Sequence, residues 1–184
     1  MKVRNLQRVI IGISLMLCAT VTIAGATKYK HEVKDKKMSF AWTVEGDNLA
    51  VKLAAETDGW VGIGFNPTEK MAGANFILGY VKKGKAKIVD EFGIEENKHK
   101  SDKKLDGAAD AVLVGGTEVD GVTTIEFTIP LDSGDKNDTK IDVKGDTTVL
   151  LAYGAGRDSF KTKHKSRSTF IVNLRTGASQ KKGK

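Results

Sequence analysis

The chain has 184 residues, of which 30 are Lys or Arg and 23 are Asp or Glu, and its formal net charge is +7 at pH 7. Its one cysteine, Cys18, lies in an apolar N-terminal segment. Without that segment the chain can form no disulfide, thiolate metal site, iron–sulfur cluster or covalently attached c-type haem. No basic helix or platform of aromatic residues is evident, which argues against nucleic acid as a partner.

The first 26 residues predict a signal peptide. Three basic residues precede an apolar stretch, residues 9–24, and Ala24-Gly25-Ala26 fits the small-x-small pattern of a cleavage site. The stretch is short for a membrane span of about 20 residues, so cleavage after Ala26 is favoured over an uncleaved anchor. Removing it leaves 27 basic and 23 acidic residues in one domain-sized chain. We therefore expect an exported protein, periplasmic or secreted.

From residue 38 onwards the pattern is one of short strands separated by turns. Residues 122–130 alternate clearly, with Ile125, Phe127 and Ile129 on one face, and Asp120-Gly121 just before them is a strong hairpin signal. No stretch shows helical periodicity over three turns. The sequence therefore predicts an all-β fold, an antiparallel β-sandwich of eight to ten strands over residues 38–175. The predicted strands cover residues 38–44, 49–55, 59–65, 75–81, 86–93, 112–116, 122–130, 148–154 and 168–174.

Three charged segments lie outside this pattern. Residues 27–37 are predicted to be a charged leader or a mobile first strand. Residues 98–106 are predicted to be a solvated polar loop. Residues 176–184 are predicted to be a disordered basic tail.

The most informative stretch is residues 59–65, in which glycines alternate with bulky side chains. This is typical of a strand on whose glycine face, here Gly62 and Gly64, another group packs closely. Asn66-Pro67 then ends the strand, and the turn that follows brings Met71 into a run of small residues. Its thioether could be core filler. It could equally be a ligand to a flat, bulky group lying against the glycines.

The chain has three histidines. His31 and His99 lie in charged segments and are expected to be exposed, whereas His164 lies in a basic loop after a buried strand. A loop histidine among lysines is more often a solvated surface residue. With Met71 opposite it, however, His164 would complete the axial pair of a six-coordinate haem iron. No position would remain for O₂ or substrate, so such a group would carry single electrons.

Other residues are candidates for a haem pocket. Arg157 and Arg167 are among the basic residues that could pair with haem propionates. The candidate pocket walls, each of which could also be ordinary core, are Trp60, Phe65, Phe76 and Tyr153, together with Gly62 and Gly64.

Several of these motifs together resemble those of a known family. The stretch 59–65, the Met71-x-Gly73-Ala74-Asn75 turn, the Asp120-Gly121 hairpin and the closing His164-x-x-Arg167 resemble the DOMON domain in their order and spacing. The resemblance runs from about Ser39 to Leu174. It departs from the family at Asn75, where Asp is usual, and in the lysine-rich setting of His164, where Tyr-His-Gly is more usual.

The resemblance implies an Ig-like β-sandwich that binds haem b or, in some members, sugars. In haem-binding members, such as the cytochrome domain of cellobiose dehydrogenase, the ligands are a Met and a His in the segments that match Met71 and His164. We therefore expect an exported b-type cytochrome domain that exchanges electrons with a periplasmic or membrane-bound redox protein and has no catalytic site of its own. The alternatives are a carbohydrate-binding module without haem, suggested also by Trp60, and a haem-based sensor or carrier.

The segment 132–142 contains four aspartates. Asp132, Asp135, Asp138 and Asp142 could in principle bind Ca²⁺, but they lack the spacing and central glycine of an EF-hand loop. A structural turn is the favoured interpretation. No nucleophile–His–acid set and no Gly-x-Ser-x-Gly elbow is present.

Overall fold

The structure, a computed structural model, describes residues 29–183. The predicted signal peptide, residues 1–26, lies outside the described residues. In the described part the chain forms twelve strands and one short 3₁₀ helix, Asp102–Lys104, between β7 and β8. The strands are β1 (His31–Asp35), β2 (Met38–Glu45), β3 (Asn48–Ala55), β4 (Val61–Phe65), β5 (Asn75–Lys82), β6 (Lys85–Glu95), β7 (Lys98–Ser101), β8 (Val112–Val119), β9 (Val122–Pro130), β10 (Asp146–Gly154), β11 (His164–Asn173) and β12 (Ser179–Lys181).

The strands form two antiparallel sheets that pack as a sandwich, as predicted. One sheet has the order β1-β2-β3-β9-β8, and the other has the order β12-β11-β10-β4-β5-β6-β7. Alternation along each strand sends every second side chain into the space between the sheets. In β9, Ile125, Phe127 and Ile129 are each at most 1% exposed, which confirms the predicted inward face.

Specific polar contacts fix the two sheets to their connections. The Trp42 indole is fully buried between the sheets, and its Nε1 donates to the Leu174 carbonyl over 2.9 Å.

The predicted hairpin at Asp120-Gly121 is confirmed: both residues have positive φ, 52° and 73°, and they form a two-residue connection between β8 and β9. That geometry suits a type I′ turn, which matches the twist of the flanking strands.

The structure differs from the sequence prediction in two polar segments. Ser179–Lys181 forms β12, which pairs with Phe170–Val172 of β11, where a disordered tail was expected. Residues 98–104 form β7 and the 3₁₀ helix, within the segment 98–106 that was expected to be a solvated loop. Both strands are short edge strands, and the exposed side chains of β12 lack the apolar alternation that marks a strand in sequence. Within the charged leader, residues 31–35 form β1, paired with β2.

No helix among residues 29–183 is long and apolar enough to cross a membrane.

Candidate functional site

The seven-stranded sheet carries a second apolar cluster on the face turned away from the five-stranded sheet, which we call the outer face. Its buried members are Trp60, Ala74, Phe76 and Leu78. Strand register explains the assembly, because Gly62 lies between Ala152 and Leu78, and Gly64 lies between Leu150 and Phe76. The half-buried members of this outer cluster are Met71, Tyr80, Val89, Leu150, Ala152 and Phe160.

The glycines of β4 make room for the rings of the outer cluster. A Cβ atom at Gly64 would collide with the Phe76 ring. At Gly62 it would lie 3.2 Å from Leu78 Cγ and 3.3 Å from Trp60 Cζ3, which is a tight contact. Close packing on the glycine face was predicted from the sequence, and in this structure side chains of the protein supply it.

Trp60 connects the outer cluster to the segment that precedes His164. Its side chain is 5% exposed, and its Nε1 donates to Thr162 Oγ1 over 3.0 Å. In the same segment the Phe160 ring lies against Tyr80, with ring centroids 4.7 Å apart. Residues 155–163 are therefore held on the outer cluster by one hydrogen bond and one ring contact.

Met71 lies at one end of the outer face, on the turn before β5. Its side chain is half-buried against the outer cluster. Its backbone N–H donates to the Glu96 carbonyl over 3.3 Å, and its own carbonyl accepts the Ala74 N–H over 3.2 Å. Gly93 of β6 packs so closely against this turn that a Cβ atom at Gly93 would collide with the Met71 carbonyl. The sequence thus positions the thioether on the outer face through a hydrogen-bonded turn and a close backbone approach.

His164 begins β11 at the other end of this sheet, paired with Gly154 of β10. Its side chain is exposed. Partial burial lowers its pKa from 6.5, and the positive charges of Arg167 and Lys163 lower the pKa further. The neutral imidazole, the form that can bind a metal ion, is therefore favoured near neutral pH.

The structure does not bring Met71 and His164 into contact. His164 pairs with Gly154, whereas the Met71 turn lies near Thr148, whose carbonyl accepts the Asn66 N–H at the end of β4. The six-residue separation of Gly154 from Thr148 along β10 corresponds to about 20 Å at 3.3 Å per residue. Trp60, Leu78 and Phe76 occupy the sheet between these two ends.

The other predicted pocket residues divide between the two faces of the sheet. Trp60 and Phe76 belong to the outer cluster, with Gly62 and Gly64 beneath them. Phe65 and Tyr153 instead belong to the core between the sheets, because strand alternation turns them to the opposite face. Arg157 and Arg167 are both exposed, and Arg167 pairs with Ala152 beside the outer cluster.

Sequence reasoning missed His99 as a residue of this site. It was expected to be solvent-exposed, but its side chain is 24% exposed and contacts Glu91 through Nδ1. Its ring lies 5.5 Å from the Phe76 ring, centroid to centroid, and it pairs with Gly93 beside the Met71 turn. The signal that could have revealed it is the hairpin pattern of β6 and β7, which puts Glu91, Gly93 and His99 on one face.

The acidic segment 132–142 mainly organises its own loop. Asp135 accepts the N–H groups of Ala108 and Asn137, over 2.5 and 2.8 Å, and Asp132 pairs with Lys140 over 2.8 Å. These hydrogen bonds lower the pKa of Asp135, and the Lys140 contact lowers that of Asp132. Asp138 differs from these two exposed or hydrogen-bonded acids, because it is half-buried and lies beside the buried Asp90 and Asp102.

Comparison with protein families matches residues 34–154 to the DOMON domain. Two curated relatives are similar in sequence. The chain is 30% identical over 146 residues to DBH-like monooxygenase protein 1 of Mus musculus, which covers 78% of this chain and 23% of the relative. It is 31% identical over 165 residues to DBH-like monooxygenase protein 1 of Homo sapiens, covering 86% and 26%. The chain thus spans about a quarter of the length of these relatives.

Two solved structures share the fold. The cytochrome b domain of pyranose dehydrogenase from Coprinopsis cinerea aligns with a TM-score of 0.56 at 12% identity, covering 76% of this chain and 80% of that one. The cytochrome domain of Myriococcum thermophilum cellobiose dehydrogenase aligns with a TM-score of 0.51 at 9% identity, covering 77% of each chain. At such identities the likeness concerns the fold.

Proposed function

The chain belongs to the DOMON domain family, and from that premise we propose that it is an exported b-type cytochrome domain that binds haem b on its outer face and transfers single electrons. The observation that carries the proposal is the outer cluster itself. It is an apolar face with a thioether at one end, an imidazole at the other and basic residues on its margin. The fold shared with two cytochrome b domains supports the same function.

The chemistry of the donor set fits haem b. Met71 would supply a soft thioether, and His164 would supply a neutral imidazole whose lowered pKa keeps its lone pair free. Arg157 and Arg167, both exposed, would pair with the propionates. When bound, haem b supplies a one-electron iron couple. Because Met71 and His164 would together hold the iron and leave no place for a substrate, we propose electron transfer, to or from a periplasmic or membrane-bound redox partner, and no catalysis by this domain.

The proposal requires segment 155–163 to rearrange on binding. The strand register separates Met71 from His164, and Phe160 and Trp60 cover the face between them. Two contacts hold this segment, the Trp60–Thr162 hydrogen bond and the Phe160–Tyr80 ring contact. Breaking both would free the chain that leads into His164, and His164 would also have to leave its pairing with Gly154 to approach Met71.

The carbohydrate alternative receives less support from the structure. In the sequence it was suggested by the sugar-binding members of the family and by Trp60. Trp60 is 5% exposed and its indole N–H is already paired with Thr162, so no free aromatic face is offered there. Titration calorimetry against glycans distinguishes the two functions, because glycan binding without haem uptake would reverse the ranking.

The decisive experiment is a haem titration of the purified protein followed by absorption spectroscopy. We expect a six-coordinate, low-spin spectrum that Met71→Ala and His164→Ala each abolish. His31→Ala is the control, since His31 lies on β1 of the five-stranded sheet, away from the outer face, and its removal should leave the spectrum unchanged.

Three outcomes would contradict parts of the proposal. A wild-type protein that leaves the haem spectrum unchanged would exclude the cytochrome function. Loss of the low-spin spectrum in His99→Ala but not in His164→Ala would transfer the ligand role to His99. A five-coordinate ferrous spectrum with rapid CO binding would indicate a sensor or carrier in place of an electron-transfer domain.

A further inference from the structure

Three carboxylates from distant parts of the chain meet at one margin of the sandwich. Asp90 lies in β6, Asp102 begins the 3₁₀ helix and Asp138 lies in the connection between β9 and β10. One oxygen from each lies within 4.8 Å of those of the other two. Asp90 is 5% exposed and Asp102 is 1% exposed, so this acid cluster is largely withdrawn from water.

The acid cluster has more acceptor oxygens than donors. Asp90 Oδ2 accepts the N–H groups of Asp110 and Ala111, over 2.9 and 3.0 Å, but Asp90 Oδ1 has no partner. Both oxygens of Asp102 are buried without a hydrogen bond. Within residues 29–183, no Lys, Arg or His forms an ion pair with any of the three acids. Buried carboxylates left in this state are costly unless a cation or protons neutralise them.

The local electrostatics show the same imbalance. Burial, reinforced by the charges of Asp90 and Asp138, raises the pKa of Asp102 to about 8. Burial also raises the pKa of Asp138 to about 6 and that of Asp90 above its ordinary value. Like charges in one buried site disfavour one another's ionised forms, and a bound cation removes this conflict.

A fourth, uncharged group supplies independent evidence. Asn75, the first residue of β5, is 2% exposed. Its Nδ2 donates to Asp138 Oδ1 over 2.6 Å, which leaves its own Oδ1 buried with no hydrogen-bond donor. Protonation of the carboxylates would relieve their repulsion, but a cation would in addition give the Asn75 oxygen a partner.

We propose that Asp90, Asp102 and Asp138, with the amide oxygen of Asn75, bind one Ca²⁺ ion. Hard oxygen ligands of this kind suit Ca²⁺ and Mg²⁺ and not the softer transition metals. The three oxygens lie within 4.8 Å of one another, which is close enough for one ion to contact all of them at Ca²⁺–oxygen distances of about 2.4 Å. Ca²⁺ is preferred because it accepts several protein ligands in irregular geometry, whereas Mg²⁺ usually keeps most of its water.

The site would fasten the turn that carries Met71. Asn75 follows that turn directly, and Asp138 is hydrogen-bonded to Asn75. The next residue, Thr139, donates from Oγ1 to the Gly73 carbonyl over 2.7 Å. An ion held by Asp138 and Asn75 therefore joins residues 71–75 to the β9–β10 connection. This role does not depend on haem, and it is tested in haem-free protein.

The test compares chelator-stripped protein with and without CaCl₂ by calorimetry and thermal melting. The wild type should bind one Ca²⁺ per chain, with Tm rising by about 5–10 °C at a Ca²⁺ concentration 100 times Kd. Asp102→Asn should abolish both effects, and MgCl₂ should act more weakly than CaCl₂. The matched control is Asp132→Asn, which removes an exposed acid paired with Lys140 and should leave Ca²⁺ binding unchanged.

The following results would contradict the Ca²⁺ site. A stripped wild type that takes up no Ca²⁺ and shows no Tm change would overturn the site. Binding that survives in Asp102→Asn, or is lost in Asp132→Asn, would place the ion elsewhere. If Asp102→Asn does not fold, Asp90→Asn gives the same comparison, because its amide oxygen can still accept the Asp110 and Ala111 N–H groups.

Hydrogen exchange supplies a second readout. Adding Ca²⁺ to the stripped wild type should slow amide exchange in residues 71–75, and it should not do so in Asp102→Asn. Uniform protection of the whole chain, with no extra effect at this turn, would show that the ion does not fasten it.

Discussion

The Trp60 indole donates a hydrogen bond to the Thr162 hydroxyl over 3.0 Å, although the two residues are 102 positions apart in sequence. The bond joins the residue that directly precedes β4 to the segment that leads into His164. It is the polar contact that would have to break if that segment moved over the outer face.

Thr162→Val should loosen residues 155–163 without unfolding the sandwich. Valine removes the bond that Thr162 Oγ1 accepts from Trp60 and the bond that it donates to the Ser159 carbonyl. These losses, with the indole N–H left unpaired, should cost about 2–3 kcal/mol locally. We expect faster amide exchange confined to this segment, measured by mass spectrometry. Thr169→Val, on β11, is the control, and equal exchange in the two variants would argue against a latch at Thr162.

Gly64→Ala should destabilise the protein by about 1–3 kcal/mol, because overpacking forces neighbouring groups to shift. Its new methyl group would collide with the Phe76 ring on the outer face. Urea unfolding measures the change. Gly115→Ala is the matched control: it also lies in a strand, but its Cβ would meet nothing within 4 Å, so its effect should stay within about 0.5 kcal/mol. Similar losses in both variants would contradict close packing at Gly64.

Asp35 should make the free energy of unfolding depend on pH in the acidic range. Hydrogen bonds from Lys181, at 2.6 Å, and from Ser168 lower the pKa of Asp35 below 3.8. A lowered carboxyl pKa stabilises the folded state above the unfolded pKa, and this contribution is lost as the pH falls through the folded pKa. Asp35→Asn should therefore cost about 1 kcal/mol at pH 7, and the difference from wild type should vanish in strong acid. A difference that stays constant with pH would contradict the ion pair.

Arg167→Gln should raise the pKa of His164, as measured by NMR titration of the imidazole. Partial burial is the larger cause of the lowered pKa and Arg167 the next, so the pKa should rise but remain below 6.5. Arg175→Gln, in the exposed connection after β11, is the control and should leave the titration unchanged. An unchanged pKa in Arg167→Gln would mean that burial and Lys163 account for the lowering without Arg167.

Much of the fold could be predicted from local pattern. The alternation of residues 122–130 and the Asp120-Gly121 turn specify β9 and its hairpin, and the structure confirms both. The DOMON resemblance is confirmed as well. Strand β12 could not be predicted, because its three exposed polar residues are held by pairing with β11 and by Lys181, and neither contact leaves a mark in the local sequence.

The candidate site could be predicted only in part. The glycine pattern of residues 59–65 correctly indicated a closely packed face, but the Phe76 ring that fills it comes from the neighbouring strand. The role of Met71 and His164 as ligands stays a prediction. The acid cluster was out of reach for sequence reasoning, because Asp102 lies in a lysine-rich segment that reads as solvated and meets Asp90 and Asp138 only through the tertiary fold.

The contact between Asp35 and Lys181 has an architectural consequence. It joins β1 of one sheet to β12 of the other, so the first and last strands described meet at a single corner. The chain enters β1 at His31 and leaves β12 after Lys181, which contacts the far end of β1. The entry and exit points are therefore separated by about the length of β1, about 13 Å at 3.3 Å per residue. Such close ends make a domain easy to insert into a longer polypeptide, and linkers fused at both ends should leave the two sheets intact.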